Sequence, residues 1–193
     1  PDSYLSVVES LNHASLHNKV KLNLQWEDSD NFNIEDLNKY DGVVIPGGFG
    51  YRGIEGKISA IEYLRKEKIP FLGICLGLQC AVIEFARNEC GIKDANSSEF
   101  SQNTNNYVID LLPNQNIEKD DVGASMRLGT YPCKIKKDTL TSKIYKEEVI
   151  YERHRHRYEV NNKYKDKLEK SGLVISGMSP DNNLIEMIEV KDH

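Results

Sequence analysis

Ile69-Pro-Phe-Leu-Gly-Ile-Cys75-Leu-Gly-Leu-Gln79 is the stretch on which the reading of the fold turns. Ile69 to Ile74 is apolar enough for a strand buried on both faces. Through Gly73-Ile-Cys75-Leu-Gly77 it passes into a pattern that predicts a helix from about Leu76 to Cys90, with Gly91 able to end it. A G-x-C-x-G between strand and helix is the thiol form of the nucleophile elbow, whose glycines admit a strained turn that lifts the nucleophile above the sheet. A thiol so placed stands at a helix N-terminus, where the macrodipole favours the thiolate over the free-cysteine pKa of about 8.5. The N–H of Leu76 points to the same place and can donate to an oxyanion. Five residues alone are equally compatible with a buried cysteine opening a core helix; the strand-then-helix context selects Cys75 as a nucleophile. Cys80, Cys90 and Cys133 lack that context and read as packing or surface residues.

Upstream, Val43-Val-Ile45 is a second short apolar run, stopped by Pro46-Gly47-Gly48-Phe49-Gly50. In a parallel sheet the carboxyl ends of neighbouring strands share one crevice, so this turn is expected beside Cys75 with a second oxyanion donor to offer. It lacks the Lys-Ser/Thr that a phosphate-binding loop would need. Between the two runs, Ile54, Ile58, Ile61 and Leu64 mark an amphipathic helix. Strand, helix, strand, helix predicts an α/β domain with a mostly parallel central sheet and helices on both faces. Further out, Asp2 or Ser3 can cap a helix carrying Leu5, Val8 and Leu11, Val20 to Leu24 alternates as a half-buried strand does, and Glu27 to Asn33 reads as a loop. The second half is less regular. Tyr107 to Leu112 and Thr130 to Ile135 read as strands, Asn162 to Ser171 as a helix, and Leu173 to Met178 with Leu184 to Val190 as an antiparallel hairpin. Asn114 to Asp121 is polar enough for a mobile loop.

With 193 residues the chain is expected to form one domain, 1–193. A net charge of −5 leaves no excess of cations for phosphates, which argues against nucleic-acid binding, and no apolar run is long enough for a membrane span. Four cysteines without a C-x-x-C pair point to free thiols and a reducing compartment, most simply the cytoplasm. His154-Arg-His156 has no third ligand in view, so no metal site is expected. If that segment is extended, Arg153, Arg155 and Arg157 share one side and the histidines the other.

The chain resembles the class I glutamine amidotransferases, which carry Gly-Ile-Cys-Leu-Gly-x-Gln around the active cysteine. Four more segments resemble the glutaminase domains of the CTP synthase family: Pro46 to Lys57, Ala86 to Phe100, Met126-Arg-Leu-Gly129 and Tyr151 to Asn161. The resemblance implies a flavodoxin-like glutaminase fold and attack by Cys75 on the side-chain amide of L-glutamine, giving ammonia and a glutamyl thioester. It places the oxyanion donors at the N–H groups of Gly48 and Leu76. The glutamine site would comprise Gly48, Leu76, Gly77, Leu78, Gln79, Glu99 and Arg157. Glu99 and Arg157 suit the α-ammonium and α-carboxylate, since charge-assisted bonds at both ends would orient the amide over the thiol. Without the family, Glu99 reads as a solvated loop residue. The resemblance also implies a synthetase (amidoligase) domain fused upstream that aminates UTP to CTP with ATP and Mg2+, stimulation by GTP, and a homotetramer. No cofactor is implied for the glutaminase domain itself.

The family completes its triad with a His-Pro-Glu segment that would follow His193, and it begins with a strand that would precede Pro1. Taken literally, residues 1–193 are truncated at both ends, lack the triad histidine and glutamate, and are expected to be nearly inactive alone. Two rival readings stand beside this one. One is an elbow-cysteine hydrolase of the DJ-1-like type; the other is a catalytically incomplete regulatory or assembly domain.

Overall fold

The computed structural model describes residues 2–111, 126–191 and 193. The expected loop at 114–121 and the end of the strand expected to reach Leu112 lie outside them. A 3-10 turn, Asp2–Tyr4, leads into α1 (Leu5–His17), and a second, Ile34–Lys39, leads into β1 (Val43–Ile45). Then follow α2 (Ile54–Glu67), β2 (Phe71–Gly73) and α3 (Leu76–Asn88). The second half runs β3 (Asn96–Ser97), β4 (Tyr107–Leu111), β5 (Arg127–Ile135), α4 (Leu140–Tyr145), β6 (Val149–His156) and β7 (Tyr158–Val160). It closes with a short 3-10 turn, α5 (Lys165–Lys170), β8 (Leu173–Met178) and β9 (Ile185–Val190).

β1 and β2 pair in parallel, Val43 opposite Phe71 and Ile45 opposite Gly73. β3 joins β4 in parallel, and β4 joins β7 antiparallel. The remaining strands form an antiparallel sheet in the order β6-β5-β8-β9, so the antiparallel part is larger than the single hairpin read from the sequence. The α/β fold stands, with the β8–β9 hairpin where it was expected.

The core gathers around the two helices that flank β2. Ile54, Ile58, Ile61 and Leu64 of α2, at helical spacing, bury against Leu76, Cys80, Val82, Ile83 and Phe85 of α3. Arg65 pins the same pair, its guanidinium donating to Glu84 at 2.8 Å and reaching Glu89 at 2.6 Å. Glu84 is 1% exposed, so removing Arg65 would strand a buried carboxylate.

Several local readings are corrected. Val20 to Leu24 joins no strand among the described residues and is largely exposed, because alternation makes a strand only where a neighbour completes the ladder. The N-cap position of α1 is Tyr4 rather than Asp2 or Ser3, and none of its residues is buried, Leu5, Val8 and Leu11 included. β5 begins three residues earlier than Thr130, and α3 ends at Asn88 rather than Cys90. β3, α4, β6 and β7 were not assigned as elements from the sequence, although β6 shows the anticipated alternation for exposed Arg153 and Arg155 and the more covered His154 and His156; Arg157 does not share the arginine face, because it falls in the bend between β6 and β7 and is half-buried. Among the described residues no helix is long and apolar enough to cross a membrane.

The contact that sets the site is backbone on backbone. A Cβ at Gly77 would sit 2.1 Å from the carbonyl oxygen of Ile45, and one at Gly73 would sit 2.7 Å from the Gly77 carbonyl. The first turn of α3 therefore rests directly on the end of β1. Gly77→Ala is expected to lower stability by about 3 kcal/mol. Gly91→Ala, at φ +69 with open space around it, should cost only about 1 kcal/mol. Urea unfolding midpoints of the two variants measure the difference.

Candidate active site

Cys75 has φ 55 and ψ −104, a positive φ that a residue with a Cβ holds only where its surroundings impose it. The elbow is clamped from both sides. Ile74 N–H donates to Ile45 O at 2.9 Å, and Gly77 N–H donates to Ile74 O at 2.9 Å. The glycine turn after β1 abuts it as anticipated: a Cβ at Gly47 would lie 3.5 Å from the Cβ of Cys75 and 4.0 Å from its Sγ, and one at Gly48 would lie 3.0 Å from Leu76 Cδ2.

The thiol does not behave as the helix N-terminus alone suggested. Burial pushes its pKa up; the Leu76 N–H opposes this, while the carboxylates of Glu99 and Glu159 push the same way as burial. One favourable N–H is outweighed by lost water and two nearby negative charges. The expectation of a thiolate favoured by the macrodipole is therefore corrected: Cys75 is held as the neutral thiol.

Glu99 is no loose loop residue. Its Oε1 accepts the N–H of Gly50 at 3.0 Å, and its own N–H donates to the Oγ of Ser97, a fully buried side chain of β3. A carboxylate is thereby attached to the glycine turn and lies close enough to act on Cys75. Gln79 is buried, and its Nε2 donates to the carbonyl of Tyr158 at 3.0 Å, tying α3 to β7. Arg157 immediately precedes β7, and the hydroxyl of Tyr158 feels both Glu99 and Arg157. Gly77 lies buried against β1 and Leu78 packs on the core. The structure thus gathers Cys75, Gly47, Gly48, Leu76 and Glu99 in one place, with Gln79 and Arg157 joined to them through the Tyr158 segment.

Three groups around the site were not singled out from the sequence: Ser97, Tyr158 and Glu159. The last two fall inside the Tyr151 to Asn161 segment, where a carboxylate in a buried strand position was the available signal. No histidine hydrogen-bonds to Cys75 among the described residues: the rings of His154 and His156 meet each other at 2.8 Å, and His193 packs on Phe71 with Nε2 near Leu64 O. No group of three or more His, Cys, Asp or Glu among the described residues is placed to hold a metal ion. A cavity of about 300 Å³ is lined by Gly47, Gly48 and Leu76 together with Asp28, Arg52 and Lys57.

A model of the class I glutamine amidotransferases matches residues 1–193. The glutaminase domain of Trypanosoma brucei CTPS, solved with bound acivicin, superposes with a TM-score of 0.89 at 36% identity, over 98% of this chain and 75% of that one. The chain belongs to the class I glutamine amidotransferase family, among the glutaminase domains of CTP synthases. The CTP synthase of Caldanaerobacter subterraneus is 56% identical over 196 residues and that of Nostoc punctiforme 57% identical over 196 residues. Each match takes in all of this chain and 36% of the relative, so the amidotransferase chain spans little more than a third of their length. A match of this extent sets aside the DJ-1-like alternative.

The four thiols of this amidotransferase differ sharply in access. Cys80 and Cys133 are fully buried with pKa values pushed up to about 12, Cys90 is buried, and Cys75 is partly open. Iodoacetamide is expected to modify Cys75 alone in the native chain, slowly at pH 7 and faster as pH rises, whereas all four react in urea. Peptide mass mapping of the modified sites checks this.

Proposed function

We propose that this chain is the glutamine-hydrolysing part of a CTP synthase, with Cys75 as its nucleophile. The observation that carries the reading is a strained cysteine lying against a glycine turn that also bonds a carboxylate, Glu99. Sγ attacks the side-chain amide carbon of L-glutamine. The C–S bond forms first, turning the carbonyl into a tetrahedral oxyanion; its collapse breaks the C–N bond, and the thiol proton leaves with the amide nitrogen as ammonia. Water then cleaves the thioester, returning the thiol and releasing glutamate. The N–H groups of Gly48 and Leu76 are suited to the oxyanion of both steps, and losing one such donor typically costs a hundred- to a thousandfold in rate. Glu99 would receive the α-ammonium and Arg157 the α-carboxylate. Gln79, with its amide held by Tyr158, would act as a wall of the pocket, continued by Gly77 and Leu78.

A neutral Cys75 needs a base before it can attack. In this reading the histidine and glutamate of the family's His-Pro-Glu segment would supply it. Ammonia would pass to a synthetase domain that consumes ATP with Mg2+ to convert UTP to CTP in a cytoplasmic homotetramer stimulated by GTP.

Acivicin, an α-amino acid electrophile, separates pocket from thiol when compared with iodoacetamide, which needs no pocket. Acivicin is expected to modify Cys75 of the native chain. Arg157→Ala should slow it about tenfold to a hundredfold, the worth of a charge-assisted contact, while the iodoacetamide rate changes little. A chain that iodoacetamide modifies but acivicin does not would favour the regulatory alternative. In a complete enzyme, Arg157→Ala should impair CTP formation from glutamine and spare formation from ammonia; equal loss with both nitrogen sources would refute the assignment.

A further inference from the structure

A buried charged cluster lies beside the site and is not used by the chemistry above. Arg127 of β5 reaches two carboxylates, donating through Nη1 to Glu159 Oε1 of β7 at 3.0 Å and through Nη2 to Glu186 Oε1 of β9 at 2.8 Å. Its guanidinium also lies over the ring of Tyr131, 4.6 Å from the centroid. Two histidines of β6 complete the cluster: His156 Nδ1 is 3.4 Å from Glu159, and His154 Nε2 is 3.6 Å from Glu186. The side chains of Arg127, Glu159 and Glu186 are each less than 10% exposed. Burial and the neighbouring His154 push His156 down to about 4, so that ring is neutral at pH 7. One cation then faces two carboxylates. Glu159 bears the imbalance: burial raises it to about 7 against the pull of Arg127.

Glu159 is joined to the candidate site in two ways. Along the chain it follows Tyr158, whose carbonyl receives Gln79 Nε2 and faces His156 Nδ1, and Arg157 comes just before. Through space its charge acts on Cys75, in the same direction as Glu99. The groups facing Glu159 are thus Arg127 from β5, His154 and His156 from β6, Glu186 from β9 and the thiol at the head of α3.

We infer that Glu159 is a positioning residue for the glutaminase site: clamped by Arg127, it holds β7 so that Arg157 and the Tyr158 carbonyl stand correctly beside the nucleophile helix. This rests on the proposed glutamine pocket. Removing the charge of Glu159 has two effects of opposite sign. The clamp is lost, so an amino-acid reagent is oriented less well; a negative charge near sulfur is lost, so the thiol ionises more readily.

The test measures modification of Cys75 in the complete enzyme by acivicin, and by iodoacetamide as a function of pH. Glu159→Gln is expected to slow acivicin about tenfold to a hundredfold, the scale of a misplaced reacting group. In the same variant the midpoint of the iodoacetamide pH profile moves to lower pH. Arg127→Lys leaves the charge on Glu159 but removes the two-armed reach, so it slows acivicin without lowering that midpoint. Unchanged acivicin rates in both variants overturn the inference. So does a parallel fall with both reagents accompanied by loss of cooperative unfolding, which would make the cluster purely structural. If Glu159→Gln does not fold, Arg127→Lys decides by the same ratio of rates. If the unsubstituted complete enzyme resists acivicin, the glutamine reading fails, and an unmoved iodoacetamide midpoint in Glu159→Gln separately overturns the action of Glu159 on the thiol.

Discussion

The carbonyl of Ile45 and the α-carbon of Gly77 touch with no room for a methyl group between them, and the rest of the site is built outward from that touch. Because the head of α3 rests on the end of β1, the turn that continues from β1 has nowhere to run except across the elbow. Gly47 and Gly48 are brought against Cys75 and Leu76 by this crowding, not by any bond of their own to the sulfur. Donors aimed at a developing oxyanion are effective because they are already oriented before charge appears, and a backbone stack orients them without long side chains.

Each half of the molecule also uses a single arginine to serve two carboxylates. Arg65 joins Glu84 and Glu89 of the α3 region, and Arg127 joins Glu159 and Glu186 across two sheets. The planar five-donor fork makes such double service possible where a lysine would serve one partner well. The two clusters differ in consequence. The first locks helix to helix, whereas the second carries an imbalance of charge to within reach of the Cys75 thiol.

The chemistry legible in the sequence was the chemistry that is local in sequence. Gly73 to Gly77 and Pro46 to Gly50 announce their turns because a strand, a glycine and a helix start lie within a few residues of one another. The opposite faces of β6, arginines outward and histidines inward, followed from strand periodicity alone. Val20 to Leu24 failed because its alternation specifies two faces but not a hydrogen-bonding neighbour. The state of Cys75 was misjudged for a related reason: Glu99 lies 24 positions and Glu159 84 positions further along the chain, and no local pattern reveals that both return to the thiol. Arg127, Glu159 and Glu186 form their cluster over similar separations. Glu99 and Arg157 were named only through resemblance to a family, since neither stands in a pattern that chemistry alone would select.

In the proposed glutamine pocket, the bond from the Gly50 amide to Glu99 would make substrate recognition and oxyanion stabilisation parts of one mechanical unit. A cation drawn to that carboxylate would pull on the same short loop that carries Gly48. Selectivity for an amino acid over a simple amide would then not reside in affinity alone: a molecule with no ammonium group would fail to load the loop, and its carbonyl would meet a receptor under a different tension.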